Sequence, residues 1–129
     1  MKTIPLHYLK VWRGIGYLLV GIVVMLSVIS PSSNPELFRI NDKIGHFLAY
    51  ATLMGWFAQY HEKPDYKYLA AIFIAQGILL EVVQTFLPDR MGDIFDALTN
   101  TMGVFVAWYL STTFLGKTLL HFEQWIRKF

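Results

Sequence analysis

The sequence predicts an all-α fold: a small transmembrane bundle of four helices, closed by a short amphipathic C-terminal helix. Three observations predict it. The chain of 129 residues is 55% hydrophobic and 16% charged, where a soluble domain carries about 25% charged residues. Its apolar residues fall into four runs, separated by turns bearing Pro, Gly and charge. The ionisable residues inside those runs sit near one bilayer face, although each costs roughly 2.5–3.5 kcal/mol at mid-helix on insertion scales. The whole chain, 1–129, reads as a single domain, because no stretch is long and polar enough for a second one. Cysteine is absent, which excludes disulfides, thiol catalysis and cysteine metal sites. A formal net charge of +2 gives no ground for a nucleic-acid partner, and the basic residues lie between spans, where topology explains them.

The first span is expected from about Val11 to Ile29, ending at Ser30-Pro31. Lys2, Lys10 and Arg13 ahead of it give it the look of a signal peptide, but no A-x-A-like site follows, so an uncleaved anchor is expected. Pro31 to Pro35 reads as a turn-rich loop. The second span, about Ile44 to Tyr60, is short, with Asn41 or Asp42 as a possible cap. A loop at His61–Asp65 precedes the third span, Tyr66 to Leu87, which Pro88 stops. Pro88–Gly92 makes a tight connection to the fourth span, Ile94 to Leu115, with Gly116 as its stop. From Lys117 onward, Leu119, Phe122, Trp125, Ile126 and Phe129 recur at helical spacing, as expected of an amphipathic helix on the membrane surface. Gly103-x-x-x-Ala107, and Gly14, Gly16 and Gly21 on the first span, are candidates for close helix approach.

Orientation follows from Lys and Arg. The N-terminus, the second-to-third loop and the tail hold eight, and the other side holds Arg39, Lys43 and Arg90. The positive-inside rule then places both termini in the cytoplasm of a multi-pass inner- or plasma-membrane protein. Trp12, Trp56, Tyr60, Tyr66, Tyr68, Trp108 and Tyr109 serve as aromatic anchors toward that inner face.

With this topology three spans bring polar stripes to the outer leaflet. Asp42, His46 and Tyr50 are spaced by four; Glu81, Gln84 and Pro88 by three and four; Asp93, Asp96 and Asn100 likewise. Glu81 lies about 10 Å below the Pro88 turn, so its carboxylate needs partners such as His46, Gln84 or Asn100. Three chemistries are open. Lys43, Arg90 and helix N-termini suit an anionic headgroup such as a lipid phosphate. Glu81, Asp93, Asp96 and His46 offer ligands for a divalent cation, without a compact ligand motif, so metal and cofactor stay unassigned. Glu81 or His46 would be the catalytic acid or base of an enzyme. The bland account is structural: interhelical hydrogen bonds worth about 0.6–2 kcal/mol each, with Asp93 a helix cap.

Asp42-Lys-Ile-Gly-His46-Phe-Leu-Ala-Tyr50, followed by Glu81-Val-Val-Gln84-x-Phe-x-Pro88-x-Arg90-x-x-Asp93-x-x-Asp96-x-x-x-Asn100-x-x-Gly103, resembles the VanZ-like family of bacterial membrane proteins. The resemblance covers about 42–107 and departs at Asp89, where many members carry Gly. It implies cell-envelope biology, with a family link to resistance to the glycopeptide teicoplanin. It marks Asp42, Lys43, His46, Tyr50, Glu81, Gln84, Arg90, Asp93, Asp96, Asn100 and Gly103, which takes in every stripe residue but Pro88 and adds Lys43, Arg90 and Gly103. The leading expectation is a protein that binds an amphiphilic or lipid-linked anionic ligand at the outer leaflet. Its ligand-binding residues are Asp42, Lys43, Tyr50, Gln84, Arg90, Asp93, Asp96 and Asn100. A transferase or hydrolase acting on a lipid-linked substrate, and a non-catalytic accessory subunit, are the alternatives. The partner is a membrane lipid or lipid-linked envelope precursor, with a homo-oligomer possible.

Overall fold

The computed structural model describes residues 1–29, 35–88 and 92–129, with side chains for all of these but 35–42. They form five α-helices: α1 (Leu9–Val28), α2 (Pro35–Ala58), α3 (Tyr66–Gln84), α4 (Ile94–Leu110) and α5 (Thr118–Ile126). A 3₁₀ turn at Lys63–Asp65 leads into α3, and a π-helical stretch, Ser111–Leu115, carries α4 toward α5. No strand occurs among the described residues, where extended pairing is limited to a bridge between Thr3 and His61.

Two segments are long and apolar enough to cross a membrane, Leu9–Val28 and Lys63–Gln84. α4 has 17 residues before its backbone turns π-helical. α2 starts well before the expected Ile44 and runs for 24 residues, about 36 Å. Its first residue is Pro35, a position where proline's missing N–H is not needed. Asn41 and Asp42 are therefore inside a helix and do not cap one, since interior amides already bond the preceding turn. The predicted turn over Pro31–Asn34, the Asp42 side chain, Asp89 and Arg90 lie outside the described residues.

The four long helices run alternately up and down. At one end the Lys2 amide donates to Asp65 at 2.7 Å, and that of Ile4 to the Tyr60 carbonyl at 3.0 Å. At the same end Gln59 donates to the Leu115 carbonyl at 2.6 Å and accepts from the Leu119 amide at 2.9 Å. At the other end Lys43 of α2 meets Asp96 of α4, and Gln84 of α3 meets Ser27 of α1.

α2 and α4 form the tightest pair. A Cβ on Gly103 would stand 2.4 Å from the Phe47 carbonyl oxygen, so only glycine lets the backbones come this close. One on Gly55 would meet the Ala107 methyl at 3.9 Å. Of the α1 glycines only Gly16 is packed, under the Tyr60 and Phe57 rings; Gly14 and Gly21 face open space. α1 otherwise leaves Leu18, Ile22, Met25 and Leu26 exposed, the surface of a helix made for an apolar surrounding.

Two aromatic anchors are core residues instead. Tyr60 and Tyr66 are buried, and the Tyr66 hydroxyl donates to the Ala58 carbonyl at 3.1 Å. Tyr68 and Tyr109 stay exposed. The tail helix also departs from a purely surface position. Leu119 and Glu123 are buried against the bundle, while Phe122, Trp125 and Phe129 point outward. Glu123 accepts from the His7 amide at 2.7 Å, the Tyr8 amide at 2.8 Å and the Trp12 indole. Burial pushes its carboxyl pKa up, but those three N–H donors outweigh it and hold the group below the usual glutamate value of 4.5.

Candidate functional site

The site is built at the end of the bundle opposite the termini. Asp93 begins it. Its extended backbone starts α4, and its Oδ1 accepts from the Phe95 amide at 2.9 Å, a side-chain cap. Its Oδ2 receives Lys43 Nζ at 3.2 Å. Asp96, in the first turn of α4, takes the same ammonium at 2.9 Å. A carboxylate there also meets the positive end of the helix dipole.

Exposure falls with depth. The Lys43 and Asp93 side chains are 42% and 41% exposed, whereas those of His46 and Asp96 are 11% and 8%. One helical turn on from Lys43, His46 Nδ1 bonds Asn100 Oδ1 at 2.9 Å. An amide oxygen only accepts, so Nδ1 carries a proton, and Nε2 is the nitrogen turned to the carboxylates. That Nε2 faces Asp96 Oδ2 at 3.8 Å, too far for a hydrogen bond. Glu81 of α3 comes in from the third side, buried, its Oε2 accepting the Asp93 amide at 3.0 Å. Ligand atoms of His46, Glu81 and Asp96 all lie within 4.8 Å of one another.

Tyr50 and Asn100 form the floor. Gly77 makes room for both, since a Cβ there would stand 3.1 Å from Asn100 Nδ2 and 3.4 Å from Tyr50 Cε1. The Tyr50 side chain is almost fully buried, and the group its hydroxyl meets is the Gln76 amide on α3. Neither that hydroxyl nor the Gln76 amide nitrogen makes a well-formed hydrogen bond among the described residues.

The structure thus gathers Lys43, His46, Tyr50, Glu81, Asp93, Asp96 and Asn100 around one spot. It turns Gln84 elsewhere: the buried amide donates to the Ser27 carbonyl at 2.7 Å and ties α3 to α1. Asp42 and Arg90 fall outside the side chains described. Sequence reasoning missed Gln76, whose position on α3 carries no local signal. It also missed the Asp93 amide as the partner of Glu81, a backbone donor that no side-chain pattern announces.

A family model described as VanZ/LLP1 matches residues 17–115. No curated protein and no solved structure matches the chain.

Proposed function

Since the chain belongs to the VanZ/LLP1 family, we propose that it is a multi-pass protein of the bacterial cell envelope whose polar site receives the anionic headgroup of a lipid-linked ligand. All four long helices cross the membrane, both termini are cytoplasmic, and the site opens to the outer leaflet. The apolar exposed face of α1 and the eight-to-three distribution of Lys and Arg support this placement. The observation that carries the reading is the graded polar cluster itself. It runs from half-exposed Lys43 and Asp93 at the rim to largely covered His46 and buried Glu81 and Asp96, with the Tyr50 hydroxyl beneath. A headgroup meets this rim from the leaflet while its tail stays in lipid. Lys43, together with Arg90 three residues ahead of Asp93 in the sequence, supplies the positive charge.

Native mass spectrometry from detergent tests this. The wild-type protein is expected to retain phosphatidic acid in preference to phosphatidylcholine. Arg90→Glu and Lys43→Gln should erase that preference while the protein still inserts. Equal retention by both variants and the wild type would refute the assignment.

A catalytic version of the same site has one specific observation behind it: His46 Nε2 faces a buried carboxylate across 3.8 Å. In that version Glu81→Gln abolishes turnover of a lipid-linked substrate yet spares its binding.

A further inference from the structure

We propose that His46, Glu81 and Asp96 bind one divalent transition-metal ion, which meets the headgroup phosphate of the ligand just described. The ion site stands on its own geometry; its role toward phosphate rests on that ligand reading.

Three features point to an ion. The first is ligand chemistry. One imidazole nitrogen and two carboxylates suit zinc or manganese better than calcium or magnesium, which favour all-oxygen shells. Tetrahedral donors about 2.1 Å from zinc lie about 3.4 Å apart. His46 Nε2 and Asp96 Oδ2 are 3.8 Å apart, and the whole set is within 4.8 Å. Small side-chain rotations close that gap.

The second feature is support behind each ligand. His46 Nδ1 is held by Asn100, Asp96 Oδ1 by Lys43, and Glu81 Oε2 by the Asp93 amide. Metal sites use just such outer hydrogen bonds to fix ring tautomer and carboxylate orientation. Here the Asn100 contact turns Nε2 toward the Asp96 carboxylate.

The third feature is an open side. Three protein ligands leave coordination positions for a water or phosphate oxygen, and Lys43, 42% exposed and held by Asp93 and Asp96, stands where an anion would arrive.

The test uses the full chain in detergent micelles, stripped with EDTA and reloaded with Zn²⁺ or Co²⁺. Elemental analysis should find one Zn²⁺ per chain, and Co²⁺ should give visible d–d absorption that changes on adding phosphatidic acid. His46→Gln and Glu81→Gln should lose the ion while keeping helical circular dichroism and elution volume. Asn100→Ala should weaken it about 10–100-fold. Absence of bound Zn²⁺ and of a Co²⁺ spectrum in the wild type overturns the ion site even if a variant fails to fold. Unchanged binding in His46→Gln and Glu81→Gln overturns it too. If the wild type takes Zn²⁺ through these residues but ignores phosphatidic acid, the ion site stands and the ligand reading falls. If it binds phosphatidic acid equally well in EDTA and takes no Zn²⁺, the ion site falls and the ligand reading stands.

Discussion

Replacing Gly103 with alanine tests the α2–α4 crossing on which the polar cluster is mounted. The added Cβ would sit 2.4 Å from the Phe47 carbonyl oxygen and 3.1 Å from the Ala51 nitrogen. Both are backbone atoms, so no rotamer change relieves the contact. Unstrained non-bonded contacts lie near 3.5 Å, so the helices must part by about 1 Å at this point. The His46–Asn100 bond, now 2.9 Å, flanks the crossing and would be stretched past the roughly 3.2 Å limit of a useful bond. Overpacking costs about 1–3 kcal/mol and the lost interhelical bond about 0.6–1.7, while alanine's better helix propensity returns about 0.5–1. The expected net destabilisation is about 1–4 kcal/mol. Unfolding in mixed micelles with rising SDS, followed by circular dichroism, measures it. Gly21→Ala is the control, since nothing lies within 4 Å of its would-be Cβ. If Gly103→Ala unfolds at the same SDS fraction as Gly21→Ala, the close approach of these helices is wrong.

Two further outcomes follow from other parts of the molecule. Glu123 has its carboxyl pKa depressed in the fold, so its stabilising contribution is complete above 4.5 and drains away as pH falls below 4.5 through the folded-state value. Trp12 fluorescence should report an acid transition in that window, and Glu123→Gln should remove the transition while costing about 1.5–3 kcal/mol at neutral pH. A wild-type emission spectrum unchanged on acidification would contradict this. Tyr50→Phe deletes a buried hydroxyl that makes no well-formed hydrogen bond, so stability should hold or rise by up to about 1 kcal/mol. Retention of phosphatidic acid should nonetheless drop, and a variant that loses stability instead would mean the hydroxyl is bonded.

Much of the architecture is written in the 3.6-residue period. His46 and Tyr50, and Asp93, Asp96 and Asn100, share faces because of their spacing, and helix packing then makes the faces meet. The departures from that period have non-local causes. Asn41 and Asp42 look like cap residues by polarity, yet α2 continues through them because a helix need not stop where its apolar stretch does. Gln84 has the spacing of the cluster but finds the Ser27 carbonyl first. Tyr60 and Tyr66 have the composition of anchors but are core residues, because composition does not distinguish a ring at an interface from one beneath a neighbouring helix. Glu123 offered a faint signal: Leu119, Glu123 and Ile126 are spaced by four and three, which sets a lone carboxylate in an otherwise greasy stripe. Its partners lie more than a hundred residues upstream and no local pattern names them.

The contact between Glu123 and the start of α1 has a consequence for how the protein is made. His7, Tyr8 and Trp12 leave the ribosome well before the carboxylate that clasps them, which is translated 111 residues after Trp12. Every bundle helix is already synthesised before that latch exists. Helix α1, thinly packed otherwise, is therefore held only provisionally during insertion and locked once α5 has been added. A chain shortened before Glu123 should enter the bilayer and yet keep a loose, protease-sensitive N-terminal segment.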